Sequence, residues 1–236
     1  MKVIILAGGR GTRISEETTA KPKPMVPIDG KPILWHIMNI YARQGWNEFV
    51  IATGYKGEVI SEWVTRLKTD WSISTIDTGL ESQTGGRIKK CMELLPGERV
   101  LATYGDGVGN IDVKKLLAFH KSHMRLATLT AVRPPARFGY LDKKNGKVIH
   151  FGEKSQSDAG WINGGFCVFE PLVASLIENL FEPLETGVLP LLTKRGELMA
   201  YDHHGFWKPM DTLREKDELE LLSKSNPQPW LDFERS

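Results

Sequence analysis

Val3-Ile4-Ile5-Leu6 runs directly into Ala7-Gly8-Gly9-Arg10-Gly11-Thr12-Arg13 and, after a short spacer, into Lys21-Pro22-Lys23-Pro24-Met25. The apolar, largely β-branched start predicts a buried strand, and the glycines after it let the backbone turn tightly and bring bare N–H groups against a ligand. Such a loop at the end of a strand is a phosphate cradle. Arg10, Arg13, Lys21 and Lys23 crowd positive charge around it, so the expected guest carries several phosphates rather than one carboxylate.

Two better-known glycine motifs are excluded by spacing. A dinucleotide fingerprint needs a third glycine three residues after Gly11, where Ile14 stands, and an acidic ribose ligand about twenty residues on is not evident. A Walker A loop needs Gly-Lys followed by Ser or Thr, whereas Gly30-Lys31 leads into Pro32 and Gly146-Lys147 into Val148. The glycines alone also suit a plain turn. Two arginines and two lysines in the same region favour the phosphate reading.

Outward from that loop, apolar spacing alternates between helix and strand. Pro32 is placed to open a helix with Ile33, Leu34, Ile37, Met38 and Tyr41 on one face and Gly45 to close it. A strand over 49–52, a helix near 58–67, a strand near 73–76, a helix over 87–95 and a strand over 100–104 follow. This alternation predicts an α/β fold: a mostly parallel sheet flanked by helices, with its ligand crevice beyond the carboxyl ends of the strands. The first loop and Gly105-Asp106-Gly107 both lie at such ends and can face one another. A helix over 113–123 and a strand over 126–132 complete this part. Residues 140–151 then read as a hairpin about Asn145-Gly146, opening a smaller mixed lobe. The lobe continues with an apolar run over 166–169, helices over 172–180 and 188–194, and a strand over 198–201. Thr212-x-x-Glu215 is a capping box for a last helix to Leu222.

Composition narrows the function classes. The 236 residues are 41% hydrophobic, enough to bury one domain core or a core with a small lobe. The formal net charge of +2 gives no general polyanion surface, and the seven tryptophans are not interleaved with basic residues, so nucleic acid is not an expected partner. Cys91 and Cys167 stand far apart, outside any C-x-x-C pair, which suits a reducing compartment and argues against a disulfide framework. With no leader and no run long enough to cross a bilayer, the expected location is cytoplasmic, with no membrane partner. His120-x-x-His123 has helical ligand spacing but no third ligand, and reads as a solvated helix end rather than zinc.

The order Leu-Ala-Gly-Gly-x-Gly-Thr-Arg, spacer, Lys-Pro-Lys-Pro-Met resembles the signature of the sugar-1-phosphate nucleotidylyltransferases. The spacer over 15–20, Gly30 to His36, Gln83-Thr84-Gly85-Gly86-Arg87, Tyr104 to Gly107, Trp161 to Phe166 and His203 to Thr212 are similar to the cytidylyl-transferring members, so the likeness spans nearly the whole chain. It implies a Rossmann-like, mostly parallel mixed sheet with a small second lobe in one nucleotidyltransferase domain, 1–236. Residues 1–133 would serve mainly the nucleotide and 134–236 mainly the sugar phosphate. It also implies CTP and α-D-glucose 1-phosphate as substrates, CDP-glucose as the product feeding deoxysugars of a surface polysaccharide, magnesium (Mg2+) as cofactor, and a homo-oligomer.

Transfer of this kind needs charge neutralisation more than acid–base chemistry, because a sugar phosphate is already anionic when it approaches the α-phosphate. Lys23 and Arg13 are the expected catalytic cations. The resemblance puts Lys23 at the reacting phosphates and Arg13 at the leaving β and γ phosphates. Asp106, between two glycines after a strand, and Asp211, before the capped helix, are the expected magnesium ligands, since that ion takes one or two carboxylates with phosphates and water. An Asx turn and a helix-start residue are the plainer roles for these two. The nucleotide is assigned to Leu6, Ala7, Gly8, Gly9, Arg10, Gly11, Thr12, Arg13, Lys23 and Gly105. It is also assigned to Thr84, Gly85, Gly86 and Arg87, where small residues admit a flat base and Arg87 can reach phosphates. Thr84 as a simple helix cap is the alternative. Glu153, Lys154, Asn163 and Gly164 are assigned to the sugar and its phosphate.

Two departures from the family pattern stand out. The span from Ser61 to Ile76 is shorter than in relatives with that activity, and Ser155 replaces the proline many relatives carry after Glu-Lys. The alternatives are another nucleotidylyltransferase using GTP, UTP or dTTP with a heptose or deoxysugar, or a regulatory subunit that binds nucleotide sugars without catalysis. Retention of Lys23, Asp106 and Asp211 argues against the latter.

Overall fold

The computed structural model describes residues 1–134, 139–153 and 160–235. Its central sheet contains β1 (Val3–Leu6), β2 (Glu48–Thr53), β3 (Ser72–Asp77), β4 (Val100–Tyr104), β5 (Ala127–Val132), β6 (Ile162–Asn163), β7 (Cys167–Phe169) and β8 (Leu198–Asp202). The main helices are α1 (Ile33–Ala42), α2 (Gly57–Arg66), α3 (Thr84–Glu93), α4 (Val113–His123), α5 (Val188–Lys194) and α6 (Leu213–Leu222).

Alternate residues of one strand point to opposite faces, and in this chain both faces are apolar. Val3, Ile5, Phe49, Ile51 and Leu101 join the core formed with α1, α4 and α6, whereas Ile4, Val50, Ala52, Val100 and Ala102 join the core formed with α3 and α5. The sheet is therefore covered on both sides, as near-continuous apolar strands require. The five apolar residues expected on one face of α1 are all fully buried.

β1 pairs in parallel with β2 and with β4, and β2 with β3. The chain thus moves outward from β1 to β3, then crosses back to place β4 on the other side of β1. The crevice above this reversal is where open α/β sheets bind ligands. β7 lies antiparallel between β4 and β5, and β8 runs parallel to β5 at its far side.

Several sequence expectations shift. Pro32 is the residue before the helix, paired in a short ladder with Pro27, rather than its first residue. α3 begins at Thr84, three residues before the expected start and with Gln83 in the cap position, so Thr84 is not its cap. The helix expected over 172–180 shrinks to Val173–Leu176. The hairpin forms as read, over Gly139–Lys144 and Lys147–Glu153, with Asn145 (φ 48°) and Gly146 (φ 81°) both left-handed as its tight turn demands. The segments after it return to the central sheet as β6, β7 and β8, so the expected smaller lobe builds no large sheet of its own among the described residues. The span expected to be short is crossed by α2, five connecting residues and β3.

Candidate active site

The glycine loop and the Gly105-Asp106-Gly107 turn meet, as their strand-end positions predict. Gly105 N–H donates to the Leu6 carbonyl at 2.9 Å, and a Cβ at Gly105 would lie 2.7 Å from that oxygen, so no larger residue fits there. Between the two loops opens a cleft of about 280 Å³. Leu6, Ala7, Gly8, Gly9, Gly11 and Thr12 form one wall, Ser82, Gln83, Thr84 and Arg87 another, and Lys23, Pro24, Tyr104, Gly105 and Asp106 the base.

Arg87 explains two of the glycines. A Cβ at Gly8 would fall 2.1 Å, and one at Gly54 2.5 Å, from its guanidinium. Arg87 is only 4% exposed and donates to the carbonyls of Thr53 (2.9 Å), Gly79 (3.0 Å) and Gly8 (3.0 Å), with further bonds to Thr78 Oγ1 and the Leu80 carbonyl. It pairs with no carboxylate among the described residues, and burial pushes its pKa down from the usual arginine value. The side chain thus staples the glycine loop to the 78–80 turn while still lining the cleft.

The other members of that motif are placed just as specifically. Gly85 and Gly86 do not line the cleft. A Cβ at Gly86 would lie 2.1 Å from the Leu180 carbonyl, and one at Gly85 2.5 Å from that of Glu182, so their smallness lets α3 pack on the 180–184 segment. Thr84 Oγ1 donates to Glu185 Oε2 (2.7 Å) and accepts from Leu184 N (2.9 Å). Arg10 sits at the exposed rim, bridged to Glu81 at 2.8 Å, a contact of small energetic value. Arg13 belongs to the short turn Thr12–Ile14; its side chain lies outside the described residues.

Lys23 and the two aspartates converge although 188 positions separate the outer pair. Lys23 is 7% exposed, and its Nζ lies 2.7 Å from Asp106 Oδ2 and 2.6 Å from Asp211 Oδ1. Tertiary pairing makes this possible. Gly107–Gly109 and Trp207–Pro209 form an antiparallel ladder, and Met210 N donates to the Asp106 carbonyl at 2.8 Å, locking the two aspartate turns together. Asp211 is then followed by α6, whose capping box between Thr212 and Glu215 forms as read. Two carboxylates sharing one cation-sized position are a hard oxygen donor set of the kind magnesium takes, with its remaining ligands left to phosphate and water.

Of the residues expected at the sugar, Asn163 Nδ2 donates to Tyr104 Oη (3.1 Å) and its Oδ1 accepts from Gly165 N (3.0 Å), while the Gly164 carbonyl accepts from Trp207 Nε1 (2.8 Å). Glu153 ends its hairpin strand with its side chain undescribed, and Lys154 lies outside the described residues. Sequence reasoning missed Tyr104 and Glu185. Tyr104 Oη donates to Glu185 Oε1 at 2.6 Å, so one carboxylate joins Thr84 on the cleft wall to Tyr104 and, through it, Asn163. Burial drives the Tyr104 pKa upward and keeps it a donor. Its position as the last strand residue before Gly-Asp-Gly was the available signal; nothing local marks Glu185.

His120, expected at a solvated helix end, is instead buried at 1% exposure, because its ring packs onto Thr128 and Glu170. His203 bonds the Phe206 carbonyl, and His120 and His123 both meet Thr128 Oγ1, with His120 also on Glu170. Among the described residues no helix is long and apolar enough to cross a membrane.

Residues 2–215 match the family model described as nucleotidyl transferase. The glucose-1-phosphate cytidylyltransferase of Salmonella typhimurium is 47% identical over 257 aligned positions, covering 99% of this chain and 100% of that protein. Since this chain has 236 residues, at least 21 of those positions face a gap in it. The mannose-1-phosphate guanylyltransferase catalytic subunit beta of Dictyostelium discoideum is 31% identical, covering 93% of this chain and 63% of that one. Among solved structures, HddC from Yersinia pseudotuberculosis complexed with GMP-PN superposes with a TM-score of 0.76 at 25% identity, covering 94% of this chain and 99% of that one. With a glycine-loop cleft at the sheet's switch point and a likeness running through both aspartate turns, this chain belongs to the nucleotidyl transferase family.

Proposed function

We propose that the chain transfers the cytidylyl group of CTP to α-D-glucose 1-phosphate, giving CDP-glucose and pyrophosphate. The observation that carries this reading is the full-length 47% identity to a glucose-1-phosphate cytidylyltransferase, laid over a cleft lined by Lys23 and Asp106, with Asp211 paired to the same ammonium. Residues 1–133 supply the nucleotide wall and residues 134–236 most of the sugar side. Guanylyl transfer is the second reading, favoured by the structural likeness to a protein complexed with GMP-PN.

The glycine loop offers backbone N–H groups to the triphosphate, with the buried Arg87 charge beside it. A phosphate oxygen of the sugar phosphate attacks the α-phosphorus, the bond from that phosphorus to the bridging oxygen breaks, and pyrophosphate leaves. No side chain need remove a proton from the acceptor. Lys23 lowers the repulsion between the two anions, and Asp106 and Asp211 would hold magnesium. That ion, when bound, neutralises phosphate charge and fixes the in-line geometry. Asn163 and Tyr104 present donors and acceptors suited to sugar hydroxyls. We place the reaction in the cytoplasm, where the free, buried Cys91 and Cys167 suit reducing conditions, and infer a homo-oligomeric enzyme.

Pyrophosphate release measured for CTP, UTP, dTTP, GTP and ATP against a panel of sugar 1-phosphates tests this reading. The expected maximum is CTP with glucose 1-phosphate; a maximum with GTP and another sugar phosphate would move the chain to the second reading.

A further inference from the structure

Lys23 does two things at once in this fold. Its backbone is pinned between Pro22 and Pro24 in a 3-10 turn, and its carbonyl accepts from Val26 N at 3.0 Å, so the main chain has little freedom. Its side chain runs beneath the phosphate loop, where a Cβ at Gly11 would lie 3.0 Å from Lys23 Cβ, and ends between Asp106 and Asp211. The stem therefore passes both places that need a cation, the carboxylate pair and the mouth of the glycine loop. Only the rotatable end of the side chain separates them.

We propose that Lys23 is a resident counter-cation: in the nucleotide-free protein its ammonium fills the position between Asp106 and Asp211 that a divalent ion takes during turnover, and nucleotide binding draws it to the phosphates. The inference rests on the metal role assigned to these two carboxylates above. Two carboxylates held together, Asp211 mostly shielded and Asp106 partly exposed, repel one another, and the Lys23 ammonium offsets that repulsion at hydrogen-bond distance from both. A divalent ion added beside the ammonium would set like charges against each other at contact, so the two compete for one position. A triphosphate resolves the competition, because it offers the ammonium new anionic partners at the loop and completes the oxygen shell an ion needs. Ion and nucleotide affinities are then linked, each strengthening the other through the displacement of Lys23. The free protein holds divalent ions poorly, and the carboxylates stay compact while they wait.

The test is Mn2+ binding, followed by electron paramagnetic resonance, to the full chain without nucleotide. Removing the competitor with Lys23→Gln, and separately with Lys23→Met, is expected to tighten Mn2+ binding by about 10-fold or more, within the range usual for linked sites. Adding Asp106→Asn to the Lys23→Gln chain should abolish that gain. Circular dichroism confirms the fold of each variant, and with two replacements the test survives if one misfolds. If Lys23→Gln and Lys23→Met bind Mn2+ no more tightly than the parent, the counter-cation role is overturned, and a loss of Mn2+ binding in Asp106→Asn with a non-hydrolysable CTP analogue then shows the metal assignment still standing. If Mn2+ binding is indifferent to Asp106→Asn under every condition, both readings are overturned.

Discussion

Replacing Arg87 by methionine separates a staple from a phosphate ligand. The guanidinium makes five hydrogen bonds to main-chain carbonyls and one hydroxyl, and it does so while almost wholly buried. Not every acceptor is orphaned by the change: the Thr53 carbonyl keeps its bonds from Thr78 N (3.0 Å) and Thr78 Oγ1 (2.6 Å), and the Gly8 carbonyl keeps that from Tyr55 N (3.1 Å). The Gly79 and Leu80 carbonyls lose the Arg87 bonds, each charge-assisted bond being worth about 1.5–3 kcal/mol, while relief of the buried charge returns part of the loss. The expected net destabilisation is about 3–5 kcal/mol. For a chain of this size that corresponds to a fall of about 6–20 °C in Tm, measurable without any ligand by thermal denaturation and by urea titration. Arg87→Lys should recover only part of it, because one ammonium cannot span carbonyls on both sides of the loop. A Tm within about 2 °C of the parent, together with a raised KM for nucleotide, would refute the staple and restore a direct phosphate contact.

Asp106→Asn and Asp211→Asn should each lower turnover by at least about 100-fold in steady-state assays, the double variant should be little worse, and a chelator should silence the parent enzyme. Gly86→Ala forces a methyl onto the Leu180 backbone and should cost about 3 kcal/mol or more in a denaturation series, whereas Gly9→Ala, with no atom within 4 Å of its added methyl, should leave stability unchanged. If cytosine is read by groups that pair its N4 and N3, UTP should be poorer than CTP by about 100-fold in kcat/KM and the purine nucleotides poorer still; higher efficiency with GTP or ATP would falsify cytidylyl transfer. His36, His120 and His203 are held below the ordinary histidine pKa, in each case first by burial. Folded, they resist a proton that the unfolded chain accepts near pH 6.5, so stability is full above that value and falls below it, by up to about 1.4 kcal/mol per pH unit for each histidine. Urea midpoints at pH 7.5 and 5.5 check this, and equal midpoints would contradict it.

What the chain declares by itself is whatever rests on short-range periodicity and turn chemistry. The strand Val100–Tyr104 and the helices Val113–His123 and Val188–Lys194 lie where their apolar spacing puts them, and Asn145-Gly146 turns the hairpin because both residues tolerate left-handed backbone. The glycine loop at the end of β1 was legible for the same reason, as glycines after an apolar run. Tertiary structure decided matters in which two distant segments compete for one position. Arg87 turns under the loop because Gly8 and Gly54 leave room for it, and Gly85 and Gly86 let α3 pack closely on the 180–184 segment. The run at Cys167–Phe169 enters the central sheet because β4 and β5 present edges that its backbone can pair. Glu185 reaches Thr84 and Tyr104, and Lys23 settles between two aspartates, only once the ladder of Gly107–Gly109 with Trp207–Pro209 has formed and α3 has docked. Local pattern specifies which elements form, since it acts through neighbours a few residues apart. Which side chains meet depends on how those elements fill space together, and that is a property of the packed fold.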